Sequence, residues 1–322
     1  MPILTRTQFL WQKNSLKLVA SELSKLLNQN VYFCTWEEDI NSAIDNNKIV
    51  LLENTRFFDL DNKKESNCDE ELSKYFASFG DVFINDAFGT CHRENASNVG
   101  ISKLLPSANG FLVEEEINNL NILLDKPEKP FIMIMGGSKV SDKIGVIDNL
   151  IKKVDKILIG GGMAFTFLKA NGVKIGKSLC EDEYLDYASK LLKKYGDKIV
   201  LPVDNYTEKN YGKAYLRNND ITNDDICYDI GNETVSIFSN EIMNAKTIFF
   251  NGPLGVFENG FDYGTKEICE SLNNSDATII VGGGDTISAV NKYVKENKFI
   301  ISTGGGSSLE YLEGKELVGV IK

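Results

Sequence analysis

The sequence has 322 residues, 42% of them hydrophobic, which is enough for two cored domains of about 100 to 200 residues each. Its formal net charge of −11 speaks against a nucleic-acid or anionic-membrane surface. An anionic small molecule would therefore have to be met by a local basic cluster.

In chain order, Ser15 to Leu27 has helical spacing, and Lys48 to Leu52 and Asp81 to Ile84 read as strands with a helix between them over Glu70 to Phe79. The first third is thus already α/β. After Leu104-Leu105-Pro106 comes an amphipathic segment, Phe111 to Leu124, which is expected to be a long helix between domains. Lys126-Pro127-Glu128-Lys129-Pro130 ends it. From there onward strand, glycine turn and helix recur, implying a parallel sheet that binds ligands at the carboxyl ends of its strands.

Four glycine-rich turns follow apolar runs in that second half. They are Gly136-Gly137 after Phe131 to Met135, Gly160-Gly161-Gly162 after Ile157 to Ile159, Gly282-Gly283-Gly284-Asp285 after Thr278 to Val281, and Gly304-Gly305-Gly306 after Phe299 to Ile301 and Ser302-Thr303. Any one of them could simply permit a tight turn. Together they supply backbone amides and helix starts, which make a phosphate-binding surface and point to a nucleotide. None has the G-x-G-x-x-G spacing, and Gly172 to Gly176-Lys177-Ser178 has three intervening residues where the P-loop needs four.

Six scattered cysteines, no C-x-x-C pair and a single histidine argue against a thiolate or imidazole metal centre and fit reduced thiols in the cytoplasm. No apolar run approaches the roughly 20 residues of a membrane span, and no basic-then-apolar signal core opens the sequence.

The motifs in order resemble the phosphoglycerate kinase family from about Ser15 onward. They are Leu51-Leu52-Glu53-Asn54-Thr55-Arg56-Phe57, Asn85-Asp86-Ala87-Phe88-Gly89-Thr90 with His92-Arg93, Gly136-Gly137-Ser138-Lys139-Val140 with Asp142-Lys143-Ile144, and Gly160-Gly161-Gly162-Met163-Ala164. Asn251-Gly252-Pro253-Leu254-Gly255-Val256-Phe257-Glu258, Gly282-Gly283-Gly284-Asp285-Thr286 and Ser302-Thr303-Gly304-Gly305-Gly306 complete the series.

The resemblance implies two Rossmann-like three-layer α/β domains with parallel sheets joined by a long helix, the N-terminal one incomplete. The expected divisions are 1–110 for phosphoglycerate binding, 111–126 for the linking helix, 127–307 for the nucleotide and 308–322 for a tail returning to the first half. It implies a cytoplasmic, monomeric glycolytic kinase that moves a phosphoryl group between 1,3-bisphosphoglycerate/ADP and 3-phosphoglycerate/ATP with Mg2+, and that has no nucleic-acid or membrane partner.

By resemblance, Lys139 and Lys143 grip the nucleotide phosphates and the transferring group, and the Gly304, Gly305 and Gly306 turn faces that group. Read from the residues, the two lysines are expected at a helix start, four apart. Asp285 is assigned to the nucleotide-bound Mg2+, which usually takes one or two protein carboxylates, and Gly284 and Thr286 to the phosphates. Gly137, Gly160, Gly161 and Gly162 are assigned to the adenosine side, Asn251 and Pro253 to the bordering turn, and Glu258 to the ribose. Arg56, Arg93 and His92 are assigned to the phosphoglycerate, since a guanidinium grips phosphate or carboxylate in bidentate fashion. Outside such a motif, an arginine on an acidic protein is more often a surface ion-pair partner, and a lysine pair a solvated helix face.

Several departures stand beside the matches. The family's second histidine in H-R-x-H is Asn95, and residues 205–229 are less family-like, which bears on the outer rim of the nucleotide site. R-V-D-F-N-x-P, N-x-R-I and S-H-x-G-R-P do not occur; Ile3-Leu4-Thr5 resembles the strand leading into the last, and Arg6 to Trp11 stands where that motif would follow. Exposed strand edges and uncovered apolar faces are therefore expected between Met1 and Pro106. The alternative to an active kinase is a nucleotide-binding member of the family impaired in catalysis.

Overall fold

The protein is described from a computed structural model covering residues 13–60, 62–209, 212–295 and 298–322. Residues 3–11, whose likeness to a family strand and motif is noted above, lie outside the described residues. The chain divides into two compact units, residues 1–113 with 317–322, and residues 114–316.

In the first unit, helix Lys17–Leu27 precedes strand β1 (Tyr32–Cys34), and helix Ile40–Asn46 leads to β2 (Val50–Leu52), which pairs parallel with β1. Helix Glu70–Ala77 leads to β3 (Phe83–Asn85), which pairs parallel with β4 (Ser107–Asn109). The strands are shorter than the apolar runs suggest. β3, for example, begins at Phe83, whose amide donates to Pro106, so Asp81 and Val82 stay outside the ladder. Asp39 and Asp69 cap their helices by accepting the Ser42 and Leu72 amides, supplying two of the partners that helix starts lack.

Trp36, Phe58 and Phe76 form the aromatic core of this unit, with edge-on and tilted rings 4.9 to 5.6 Å apart. Among the described residues neither strand pair gains a third strand, and apolar side chains are uncovered: Val82 and Ile84 are 61% and 54% exposed, Leu18 and Leu26 over 80%. Residues 317–322 close the unit from the far end of the chain. Gly319 donates to Cys91 and accepts from the Asn85 side chain, and the Asn109 amide group bonds the backbone of Ile321 in both directions.

Helix Phe111–Leu124 has the length the sequence predicts, and the boundary between the units falls inside it, at Val113 and Glu114. Its buried face runs through Val113, Glu116, Leu120 and Leu123, the three-and-four spacing of one helical stripe.

The second unit is built on β5 (Phe131–Met135), β6 (Lys156–Ile159), β7 (Ile199–Val200), β11 (Thr247–Asn251), β12 (Thr278–Gly282) and β13 (Ile300–Ser302). All pair parallel in the order β13-β12-β11-β5-β6-β7. Every residue of β5 and β11 is buried, as a sheet covered on both faces requires. Strand order reverses between β5 and β11, which makes their carboxyl ends the topological switch point where α/β sheets bind ligands.

One element departs from the uniformly parallel reading of this half. Residues 204–230 form an antiparallel sheet, β8 (Asp204–Lys209) between β9 (Gly212–Arg217) and β10 (Cys227–Ile230). In β8 it is the polar Asp204, Asn205 and Thr207 that are buried, each hydrogen-bonded, while Tyr206 is half-buried.

Candidate active site

Three backbone turns, at 136–137, 160–162 and 251–254, meet at the switch point, and glycine lets them come together. A Cβ on Gly136 would stand 2.2 Å from the carbonyl oxygen of Pro253, and one on Gly252 would stand 2.3 Å from the Gly136 carbonyl. Gly161, at φ +63°, would bring a Cβ within 2.8 Å of Gly137 and Pro253. Amides fasten the same turns: Gly136 donates to Asn251, Gly137 to Pro253, and Gly161 to Leu254. Here glycine is required by close backbone approach, not merely tolerated in a turn.

Two adjoining hollows result. The smaller, about 140 Å³, is lined by Gly137, Ser138, Lys139, Asp142, Lys143, Asn251, Gly252, Pro253, Gly283, Gly284, Asp285 and Thr286. The larger, about 320 Å³, shares Gly137, Ser138, Pro253 and Asp285 and extends over Gly161, Gly162, Leu179, Ile226, Cys227, Tyr228, Gly255, Val256 and Glu258. The first is narrow, amide-rich and charged; the second is roomier, with an apolar wall. Phosphates followed by a nucleoside fit that sequence of surfaces.

Lys139 and Lys143 do not stand on a helix, as their spacing suggested. Gly137 takes φ +90° and turns the chain out of β5, and the helical ladder begins only at Ile144, with Lys143 in the flanking turn. Lys139 is exposed, whereas Lys143 is half-buried and donates to Asn251 Oδ1. Burial pulls the Lys143 ammonium down to about 8, against the neighbouring carboxylates of Asp142 and Asp285, which favour its charged form.

Asp285 is the second residue of helix Gly284–Tyr293 and points into both hollows. It is exposed and accepts no hydrogen bond among the described residues, so its lone pairs are available to a cation. No three His, Cys, Asp or Glu side chains among the described residues cluster as a metal cage. A divalent ion completed by phosphate oxygens fits this donor set; a self-contained protein site does not.

The remaining residues divide between lining and holding. Thr286 is buried and its hydroxyl accepts the Gly252 amide at 2.7 Å, so it fixes the Asn251-Gly252-Pro253 turn. Gly160 packs against Leu254 and does not line either hollow, because a Cβ there would lie 2.5 Å from the Leu254 side chain. Glu258 stands exposed at the rim of the larger hollow. Gly304, Gly305 and Gly306 form the turn into helix Gly306–Leu312, and the preceding Thr303 donates its amide and hydroxyl to Glu116 at 2.7 and 2.9 Å. The other oxygen of Glu116 is buried without a partner among the described residues.

In the first unit, Arg56 is exposed, donating to Ser66 at 2.7 Å and pairing with Asp59 at 3.1 Å. Arg93 donates to the His92 ring at 2.9 Å. Arg56 and the His92-Arg93 pair lie on separate segments, each with its own local partners. Asn95 is buried and bonded to Glu65 and Asn98, so the residue standing in for a histidine faces inward and holds the loop.

Sequence reasoning missed Glu181, Glu116, Leu179, Ile226 and Tyr228. Glu181 accepts the Val140 and Ser141 amides and the Ser141 hydroxyl. It lies 40 or 41 positions away from those residues, so no local pattern announces it. Cys227 and Tyr228 of the wall belong to β10 of the antiparallel sheet, and Ile226 directly precedes it.

The family model described as phosphoglycerate kinase matches residues 4–315. A phosphoglycerate kinase of Enterococcus faecalis is 51% identical over 319 residues, with 95% of this chain and 80% of that relative covered. One of Staphylococcus epidermidis is 52% identical over 318 residues at the same coverage. Among solved structures, the phosphoglycerate kinase of Coxiella burnetii superposes with a TM-score of 0.82 at 38% identity, over 95% of this chain and 80% of that one. That of Pyrococcus horikoshii does so with 0.81 at 30% identity, over 95% and 81%.

Proposed function

The chain belongs to the phosphoglycerate kinase family, kinases that transfer a phosphoryl group between ATP/ADP and phosphoglycerate, and from that premise we propose which of its residues carry the transfer. The nucleotide lies across the two hollows at the β5–β11 switch point, its base and ribose in the larger one beside Gly161, Gly162 and Glu258 and its phosphates in the smaller. Lys139, Lys143 and the amide of Gly284 neutralise phosphate charge, and Gly137, whose own amide is spent on Pro253, borders the adenosine. Arg56, Arg93 and His92 hold the phosphoglycerate, and the Gly304 to Gly306 turn offers its amides to the transferring group.

The acceptor is a carboxylate, already ionised near neutral pH, so no general base is needed. Its oxygen forms a bond to the γ-phosphorus as the bond from that phosphorus to the ADP oxygen breaks, and ADP leaves with the electron pair. The reverse reaction moves the phosphoryl group of the acyl phosphate to ADP. The chain's contribution is positioning and charge neutralisation. Asp285 would hold Mg2+, which when bound shields the phosphate oxygens as a Lewis acid.

The observation that best supports this reading is the smaller hollow itself, where two ammonium groups, a hydrogen-bond-free carboxylate and glycine amides share one 140 Å³ space. Coupled assays of Lys139→Ala and Lys143→Ala, with calorimetric titration of Mg-ADP, test it. Each variant is expected to lose at least about tenfold in kcat and to bind Mg-ADP more weakly. Parent-like values in both would overturn the assignment. We further propose a cytoplasmic monomer, in keeping with six cysteines none of which is joined in a disulfide among the described residues. Equilibrium sedimentation would check the monomer.

A further inference from the structure

The loop that carries both lysines has no ladder of its own. Residues 138–143 leave β5 and end where the helix begins at Ile144, so their amides need partners from elsewhere. Lys143 donates its amide to Val140 within the loop, and Glu181 supplies partners for two of the others. Its Oε2 accepts the amides of Val140 and Ser141, and its Oε1 accepts the Ser141 hydroxyl at 2.6 Å. One carboxylate therefore satisfies three donors on two consecutive residues between Lys139 and Lys143.

The strand of chain that delivers Glu181 is itself fixed. Its amide donates to Thr166 Oγ1 at 3.1 Å, on the helix that follows the Gly160 to Gly162 turn. Three residues earlier, Ser178 Oγ accepts the Cys227 amide at 3.0 Å, tying the same segment to the wall of the larger hollow. Burial alone would push the Glu181 carboxyl up, but the Ser141 hydroxyl, the Ser141 and Val140 amides and the nearby Lys139 charge outweigh it and hold it below the usual range. Glu181 is therefore ionised at neutral pH, as a charge-assisted acceptor must be.

We infer that Glu181 is a positioning residue for phosphoryl transfer: it fixes the 138–143 loop so that Lys139 and Lys143 meet the nucleotide phosphates, without touching substrate itself. The inference rests on the placement of the phosphates beside those lysines. A carboxylate that only stabilised the domain would act on every ligand alike. One that sets the lysine loop acts mainly on the phosphates, since only Ser138 of that loop also lines the larger hollow, and acts through the lysines.

The test compares Glu181→Gln and Glu181→Ala in the full chain, titrated by calorimetry with Mg-ADP and with adenosine, each also made in the Lys139→Ala/Lys143→Ala background. Glu181→Gln keeps the shape of the side chain, which guards against loss of the fold. The expected result is an Mg-ADP Kd raised on the order of tenfold with adenosine binding within about twofold of the parent. The Mg-ADP effect of Glu181→Gln should also shrink below about twofold once both lysines are gone. Parent-like Mg-ADP binding in both Glu181 variants overturns the inference, as does an equal loss for ADP and adenosine or an undiminished effect without the lysines. If the lysine variants themselves bind Mg-ADP as the parent does, the phosphate placement has failed, and the inference with it.

Discussion

Lys143 is an ammonium group held where burial disfavours its charge, at about 8 against an ordinary 10.5. As pH rises, the folded chain gives up this proton before the unfolded chain does. Between those two values the unfolded state binds more protons, so this group's destabilising effect fades and stability rises with pH. Phosphate affinity moves the other way, since the neutral amine no longer attracts the anion. Mg-ADP binding is therefore expected to weaken between about pH 7 and pH 9 and to draw a proton from the buffer. Calorimetry in buffers of different ionisation enthalpy would reveal that uptake, and Lys143→Gln should abolish it; equal heats in all buffers would contradict the prediction. Gly136 makes a steric prediction of similar sharpness. Gly136→Ala places a methyl 2.2 Å from the Pro253 oxygen, and the strand ends should part at a cost of about 1–3 kcal/mol, read as a lowered urea midpoint. Both residues were legible in the sequence because they sit in compact motifs. Glu181 was not, because its function depends on which distant backbone amides lack partners.

At the level of elements, the strand-and-turn grammar of residues 131–135, 156–159, 278–282 and 300–302 was readable from apolar runs ending in glycine, to within one or two residues. The helix expected at Lys139 was displaced because Gly137 adopts a left-handed turn that postpones the ladder. The antiparallel sheet at 204–230 lacks that signal: β8 has one hydrophobic residue in six and buries polar groups instead. That sheet carries a titrating group. Asp229, on β10, accepts the amides of Ile230 and Gly264 at 2.9 Å each, so it anchors the start of helix Tyr263–Asn274. Burial raises its carboxyl to about 7 in spite of those bonds; Asp262 adds to the rise and Lys213 opposes it. The folded state therefore holds this proton above the pH at which the unfolded chain releases it. Its stabilising contribution is lost as pH climbs towards 7, by at most about 1.4 kcal/mol per pH unit. Asp229→Asn should lower stability overall, since an amide can accept with only one of its two heads, and should flatten that slope between about pH 4 and pH 7. Denaturant midpoints across the range would check it; an unchanged slope would mean that Asp229 is ionised throughout.

For the whole molecule, the division into two units predicts a divided response to ligand. Mg-ADP at about 100 times its Kd should stabilise residues 114–316 by about 2.7 kcal/mol. Hydrogen exchange should then slow in β5, β11 and β12 and stay as it was in β1 to β4; uniform slowing across both units would speak against a nucleotide site confined to the second. The second unit was the more legible of the two, since its long buried strands and four glycine turns repeat one rule. The first was read less well, because three-residue strands in separate pairs leave little periodic signal.

The pairing of distant segments also governs when each unit can exist during synthesis. β5 must wait for β11 before its second edge is covered, and Lys143 has no Asn251 to donate to until that strand has emerged from the ribosome. The first unit waits longer still: Asn85 finds its acceptor at Gly319, 234 residues further along the chain. A chain ending shortly after residue 302 and released from the ribosome would hold a complete parallel sheet but not the bonds at Gly319 and Ile321 that close the first unit. The first unit thus needs both its early segments and residues 317–322, and the second, made between them, can consolidate before it.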